Sequence, residues 1–310
     1  MKASTVQRTE GATDEKAEQF SLSSDLSELT KARLTVMVLL TTLAGYALSS
    51  TGVFDWMRLF HTLLGTTLVA ICSSILNQAL ERDTDALMRR TQMRPFVTKR
   101  LPLQKTIWVG LALGAIGLVE LVWFVNVLTA ILAALTLFIY AFAYTPLKRR
   151  TELNTLVGTL PGALPPLMGA TAATGHFAVE GLTLFALMTM WQLPHFYAIA
   201  WMHREDYAAG GLRMVSTNDA TGRRTAWHAL VTALILFPVS LLPFFVGHAG
   251  IFYAAVAGVL GIFFLVPAVQ FARVPDLARA RALFFFSIIY LPLVLTALAV
   301  DVPMRRVLGF

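Results

Sequence analysis

The sequence predicts an all-α polytopic membrane protein, a bundle of about nine transmembrane helices with its N-terminus in the cytoplasm. Three observations lead there. Apolar residues fill 56% of the 310 positions and charged ones only 14%, with a mean hydropathy of +0.66; a soluble domain carries about 25% charged residues. Nine apolar runs approach the roughly 20 residues that cross a bilayer. Finally, Lys and Arg gather in alternate connections, as cytoplasmic loops do.

The elements follow in order. Residues 1–31 are polar and carry six acids before residue 31, with no apolar core like that of a signal peptide, and read as a disordered cytoplasmic tail of a bacterial chain. The expected spans are 33–51, 59–80, 105–124, 126–146, 154–173, 178–200, 227–247, 250–272 and 282–300. They form one transmembrane domain over 32–301, and 302–310 reads as a short extracytoplasmic tail. With the N-terminus inside, 22 of the 25 basic residues face the cytoplasm, so the net charge of +7 is a topology signal and not a nucleic-acid signature. The lone Cys72 lies in an apolar run and excludes an internal disulfide framework.

Chemistry concentrates at the end of the second span, NQALERDTDALMRRTQMRP, residues 77–95. Asn77, Glu81 and Asp85 are spaced four apart and stack on one helical face within an arc of roughly 80°. Asp83 points the other way and joins them only if the helix breaks. Arg89, Arg90, Arg94, Lys99 and Arg100 surround these acids. Hard oxygens beside cations suit a diphosphate held partly by Mg2+ and partly by Arg and Lys; a positive-inside loop with solvated carboxylates is the plainer alternative. A second cytoplasmic loop, 201–225, offers Arg204, Glu205, Asp206 and the pair Gly210-Gly211, where a turn or a close backbone approach is expected. The two long loops lie four spans apart, a spacing that suggests a weak four-helix repeat.

Two further features read as parts of a cavity. The fifth span carries Pro161, Pro165 and Pro166, which do not belong to one regular helix. Broken membrane helices are tolerated where they line a cavity, and Asn154 at the cytoplasmic end is a polar candidate for it. Gly158 and Gly162 form a small-xxx-small pair suited to helix packing. His195, inside the apolar run WQLPHFYAIAW, is an intramembrane ionisable group and so a candidate to touch a substrate or a metal, or else a satisfied core histidine. No Walker loop, Rossmann glycine pattern or G-x-S-x-G appears.

Over residues 29–300 the chain resembles the UbiA-type intramembrane prenyltransferases. The resemblance rests on LTKARLTVMVLLTTLAGY, NQALERDTDALMRRTQMRP, YTPLKRRTELNTLVGTLPGALPPLMG and PHFYAIAWMHREDYAAGGLRMV. Met88, Arg90, Thr91, Arg94 and Pro95, the Tyr-Thr-Pro-Leu-Lys-Arg segment and the Gly-Ala-x-Pro-Pro-x-x-Gly segment are similar to the haem-modifying branch. That resemblance implies a UbiA-type bundle in the bacterial inner membrane that transfers the farnesyl group of farnesyl diphosphate to a vinyl group of protoheme IX, with addition of water. It also implies that Asn77, Glu81 and Asp85 bind Mg2+, with Asp83 in the same motif, and that Arg33, Arg90, Arg94, Tyr144, Lys148 and Arg204 surround the diphosphate. Asp206 and Tyr207 match the second polar motif, while His195 and Asn154 stand as haem-contact candidates. A haem A synthase or a terminal oxidase assembly is the partner implied downstream. Glu81 stands where Asp is common, and the second motif lacks paired aspartates four apart. A family enzyme with another acceptor, a transporter and a haem-assembly factor are the competing readings.

Overall fold

The computed structural model describes residues 21–308, with side chains through residue 302. It is helical throughout, with no β-strand among the described residues. Helix α1 (Leu22–Leu29) precedes the bundle. Then come α2 (Ala32–Ser49), α3 (Trp56–Asp85), α4 (Leu103–Phe124) and α5 (Val127–Phe138), which runs on through a π-helical segment, Ile139–Tyr144, and a last turn, Thr145–Leu147. The second half holds α6 (Asn154–Thr174), α7 (Val179–Met202), the short α8 (Arg204–Ala209), α9 (Arg223–Ser240), α10 (Ile251–Arg273) and α11 (Leu277–Leu308).

Seven of these helices are long and apolar enough to cross a membrane: α2, α3, α4, the α5 rod, α9, α10 and α11. Helices α6 and α7 have the length but are less apolar, because prolines, Gln192 and His195 interrupt them. They occupy the middle of the bundle, where α6 packs on α2, α5 and α7, and α7 also packs on α9 and α11. Large apolar side chains such as Trp108, Ile116, Ile131, Phe263 and Ile289 point outward, as expected of a surface that meets lipid.

Both ends of the chain and the fifth span differ in detail from the reading of the sequence. The disordered tail was expected to reach residue 31, and its residues 1–20 lie outside those described. From Leu22 the chain is already helical and anchored, with Asp25 buried beneath Arg100 Nη2 at 2.8 Å. At the other end, α11 continues to Leu308 instead of stopping at 301. The proline-rich fifth span is also one uninterrupted helix, with Pro161, Pro165 and Pro166 inside it. Each proline removes one backbone bond, but the flanking turns persist, and α2, α5 and α7 pack around the helix, where such interruptions are tolerated in membranes.

Close backbone approach holds the centre together. A Cβ on Gly45 would land on the Pro166 carbonyl, and one on Gly169 would land on the Thr42 carbonyl. These reciprocal glycines let α2 and α6 touch backbone to backbone, the packing that small residues permit in membranes. The expected pair Gly158 and Gly162 does something else: Gly158 abuts the Tyr144 ring, and Gly162 abuts the Gln192 amide.

Helix α3 is 30 residues long, roughly 45 Å at 1.5 Å per residue, against a hydrocarbon core of ~30 Å. Its final turns therefore carry Asn77, Glu81 and Asp85 to the rim of the bilayer. Gly169→Val is expected to lower the thermal unfolding midpoint in detergent by the equivalent of at least ~1–3 kcal/mol, the cost of overpacking. Gly258→Ala is the comparison, since a Cβ there meets nothing within 4 Å and is expected to leave the midpoint unchanged or slightly raised.

Candidate active site

A cavity of about 660 Å³ opens at one end of the bundle. Glu81 and Asp85 at the end of α3, Tyr144 and Lys148 after α5, and Lys31 and Arg33 at the start of α2 line it. Arg90, Arg94 and Tyr207 complete the polar wall. A narrower tunnel of about 290 Å³ shares Leu34, Tyr144, Lys148 and Phe196 with this cavity. It descends among Val69, Ala133, Pro165 and Met168, which are apolar. The site is thus polar above and oily below, with Lys148 and Tyr144 at the junction.

The polar groups are closely matched. Lys148 Nζ donates to Glu81 Oε1 at 2.6 Å and lies 4.4 Å from the Tyr144 ring centre. Burial favours loss of the Lys148 proton, but Glu81 and the phenols of Tyr144 and Tyr140 outweigh it and hold the pKa above the usual lysine value. Lys148 is therefore a fixed cation across the physiological range. Arg94 Nη1 donates to Asp85 Oδ2 at 2.5 Å, and Asp85 is almost fully buried. The remaining oxygen of Asp85, Oδ1, is buried without a hydrogen-bond partner.

Asn77 sits one turn below Glu81, fully buried. Its Oδ1 accepts from Lys31 Nζ at 2.5 Å, and its Nδ2 donates to Thr145 Oγ1 at 2.9 Å. Lys31 Nζ also donates to the Tyr140 hydroxyl, and Thr145 Oγ1 donates to the Tyr140 carbonyl. These bonds close a ring around the π segment, which turns Tyr140 and Tyr144 to the same side with ring centres 5.8 Å apart. Lys31 and Tyr140 were not anticipated from the sequence. Lys31 had counted only as one more inside charge, although its place at the very start of the first span was a usable signal.

The loops are pinned to this core. Thr91 Oγ1 donates to the Asp85 carbonyl, and Gln78 Nε2 donates to the Glu28 and Leu29 carbonyls that end α1. Arg213 N donates to the Lys148 carbonyl at 2.7 Å, which ties the second loop to the connection that follows the α5 rod. Gly210 lies against Met88, and Gly211 takes a φ of 66°, so the expected close approach and turn are both present.

Several anticipated residues fall elsewhere. Because α3 does not break, Asp83 faces solvent, 79% exposed and paired with Arg82. Arg204 stacks on the Trp201 ring at 4.2 Å and lines neither cavity, and Asp206 lines neither although its neighbour Tyr207 does. His195 is held by Ser287 Oγ at 2.7 Å and sandwiched by Trp191 and Phe284 against α11, away from both cavities. Asn154 is fully buried and spends its amide on the carbonyls of Thr151 and Arg213, a structural tie between loops.

Among the described residues no three His, Cys, Asp or Glu side chains cluster as a complete metal cage. Mg2+ needs no such cage: it is commonly held by one or two carboxylates together with substrate phosphates and water. Glu81 and Asp85 both line the cavity, Asp85 Oδ1 has no hydrogen-bond partner, and the pair fits that habit. Asn77 retains one lone pair on Oδ1 beside its lysine bond.

Fold and site together define a membrane-embedded prenyltransferase architecture. The UbiA prenyltransferase family profile matches residues 38–289, and the chain belongs to that family. It is similar to the protoheme IX farnesyltransferase of Solibacter usitatus, at 41% identity over 90% of this chain and 99% of the relative. It is likewise similar to that of Myxococcus xanthus, at 43% identity over 91% of this chain and 95% of the relative. Among solved structures, a digeranylgeranylglyceryl phosphate synthase superposes with a TM-score of 0.77 at 17% identity, covering 90% of this chain and 97% of that one. A UbiA homologue from Archaeoglobus fulgidus bound to DMAPP and Mg2+ superposes with a TM-score of 0.65 at 15% identity, covering 89% and 100%.

The placement of the four α3 groups makes a direct prediction. Asp85→Asn is expected to lower prenyl transfer by about two orders of magnitude, as loss of an electrostatic group at a reacting centre does. Asp83→Asn is expected to stay within about twofold, as surface charges do. Product formation by purified variants of equal thermal stability is the measurement.

Proposed function

We propose that this protein transfers the farnesyl group of farnesyl diphosphate to a vinyl group of protoheme IX, adding water and releasing diphosphate. The single observation that carries the reading is the joined pair of cavities: a cationic, carboxylate-bearing chamber opening directly into an oily tunnel. A diphosphate with a hydrocarbon tail matches both halves at once. The protoheme IX farnesyltransferases at about 40% identity over nine-tenths of the chain support the acceptor.

In this reading Glu81 and Asp85, with the Asn77 amide oxygen, would hold Mg2+ against the diphosphate. When bound, Mg2+ supplies charge neutralisation for the leaving oxygens. The chain's own cations do the rest. Lys148, Lys31 and Arg94 face the chamber from three elements and stabilise the charge that grows as the allylic C–O bond lengthens. Arg33 and Arg90 lie at the exposed rim and attract the anionic substrate. The Tyr144 ring covers the neck beside Lys148, where an aromatic face favours nearby positive charge. The packed tunnel wall limits bulk water, which protects the allylic cation from early quenching.

The catalytic unit spans residues 32–301, with α1 as one wall of the chamber. All nine long helices embed in the bacterial inner membrane, with the chamber on the cytoplasmic side where the basic loops gather.

The test is an assay in membranes with protoheme and farnesyl diphosphate, with and without chelator, read by the mass of extracted haem. The expected result is a haem heavier by farnesyl plus hydroxyl, formed only with Mg2+ present. Diphosphate release with unaltered haem would move the acceptor elsewhere. Lys148→Met is expected to cost at least about 100-fold in this assay, since it removes the junction cation and leaves Glu81 without its buried partner.

A further inference from the structure

The tunnel is not uniformly oily. Thr66, Ser73 and Ser74, all on α3, line it. Each is at least nine-tenths buried, and the hydroxyls of Thr66 and Ser73 have no hydrogen-bond partner. In membrane helices such hydroxyls normally bond to the carbonyl one turn back. Elsewhere on the same helix they do: Thr62 donates to the Arg58 carbonyl and Thr67 to the Leu63 carbonyl, each at 2.7 Å. Of the three residues that line the tunnel, Thr66 and Ser73 keep buried hydroxyls that are unspent.

Ser73 has a special position. It lies one turn, roughly 6 Å, below Asn77 on α3. It lines the same tunnel as Tyr140, Tyr144 and Lys148, of which Tyr144 and Lys148 also line the chamber and mark the neck. With diphosphate in the chamber and hydrocarbon in the tunnel, the allylic carbon falls at that neck. Ser74, the adjacent residue, and Tyr140 supply further polar groups, and a held water needs two to four partners. We infer that Ser73 holds the water that adds to the porphyrin side chain. It is a positioning residue for hydration, separate from the groups that release diphosphate. This rests on the farnesyl transfer proposed above.

The step balances. The allylic C–O bond breaks and diphosphate leaves with the electron pair. The vinyl π pair forms the new C–C bond, which leaves positive charge on the carbon attached to the porphyrin. Water held at Ser73 gives its lone pair to that carbon, and its extra proton passes to diphosphate or solvent. Without the held water the same cation loses a proton from the neighbouring carbon and becomes an alkene, one water lighter.

The experiment reads the ratio of the alkene to the hydrated farnesyl haem by mass, from membranes holding the full chain, protoheme and farnesyl diphosphate. The ratio is independent of how much enzyme folds. Ser73→Ala and Ser73→Cys are each expected to raise it several-fold, roughly 2- to 10-fold for loss of one hydrogen bond to the reacting water. Ser73→Thr, which keeps the hydroxyl, and Thr66→Val, two turns deeper, are expected to match the unsubstituted protein. An unchanged ratio in both Ser73→Ala and Ser73→Cys would overturn the assignment, as would a shift in Thr66→Val alone. Absence of any farnesylated haem from the unsubstituted protein would instead remove the transferase reading, and this assignment with it.

Discussion

Charge placed at the rim of a bilayer has to be neutralised close by, and the site is built around that requirement. Each acid lining the end of α3 has its own cation: Lys148 for Glu81 and Arg94 for Asp85. Lys31 answers the Asn77 oxygen and the Tyr140 hydroxyl. These cations come from three separate stretches of chain, so neutralising the acids also assembles the chamber. Removing either member of such a pair leaves an uncompensated buried charge, which costs several kcal/mol. The same cations then face whatever anion enters.

Beyond the paired charges, the loops behave as a fastened collar. Asp25 grips Arg100 in the first loop, while Gln78 takes the carbonyls that end α1. Asn154 and the Lys148 carbonyl secure the second loop through Arg213. Irregular backbone at membrane depth is tolerated only when its polar groups are satisfied within the protein. The polar side chains at the ends of α3 and α6 meet that demand, which explains why Asn154 is buried without touching either cavity.

Much of this was legible in the sequence because it follows from periodicity and composition. The helices come from apolar run lengths, and the shared face of Asn77, Glu81 and Asp85 follows from a spacing of four. What stayed hidden depends on partners distant in sequence. His195 looked like a site residue because an ionisable group in a membrane is costly, but Ser287, ninety-two residues away, satisfies it. Arg204 and Asp206 belonged to a recognisable motif, yet the turn of α8 directs only Tyr207 into the chamber. The continuity of α6 through three prolines is set by the helices that enclose it, which no local rule reports. Lys31 escaped notice because its role depends on a ring of bonds closed by residues 77, 140 and 145.

The π segment of α5 carries a broader lesson. An α-helix advances about 100° per residue, so one extra residue in a turn re-aims everything beyond it while leaving everything before it in place. Residues 127–138 keep their register against lipid and neighbours, and the half that follows turns its two tyrosines inward. Thr145, whose amide and hydroxyl both bond the Tyr140 carbonyl, holds that offset. A membrane rod can in this way serve two masters, one for insertion and one for chemistry. Gain or loss of a single codon at the joint would be enough to redraw the interior without altering how the protein sits in its bilayer.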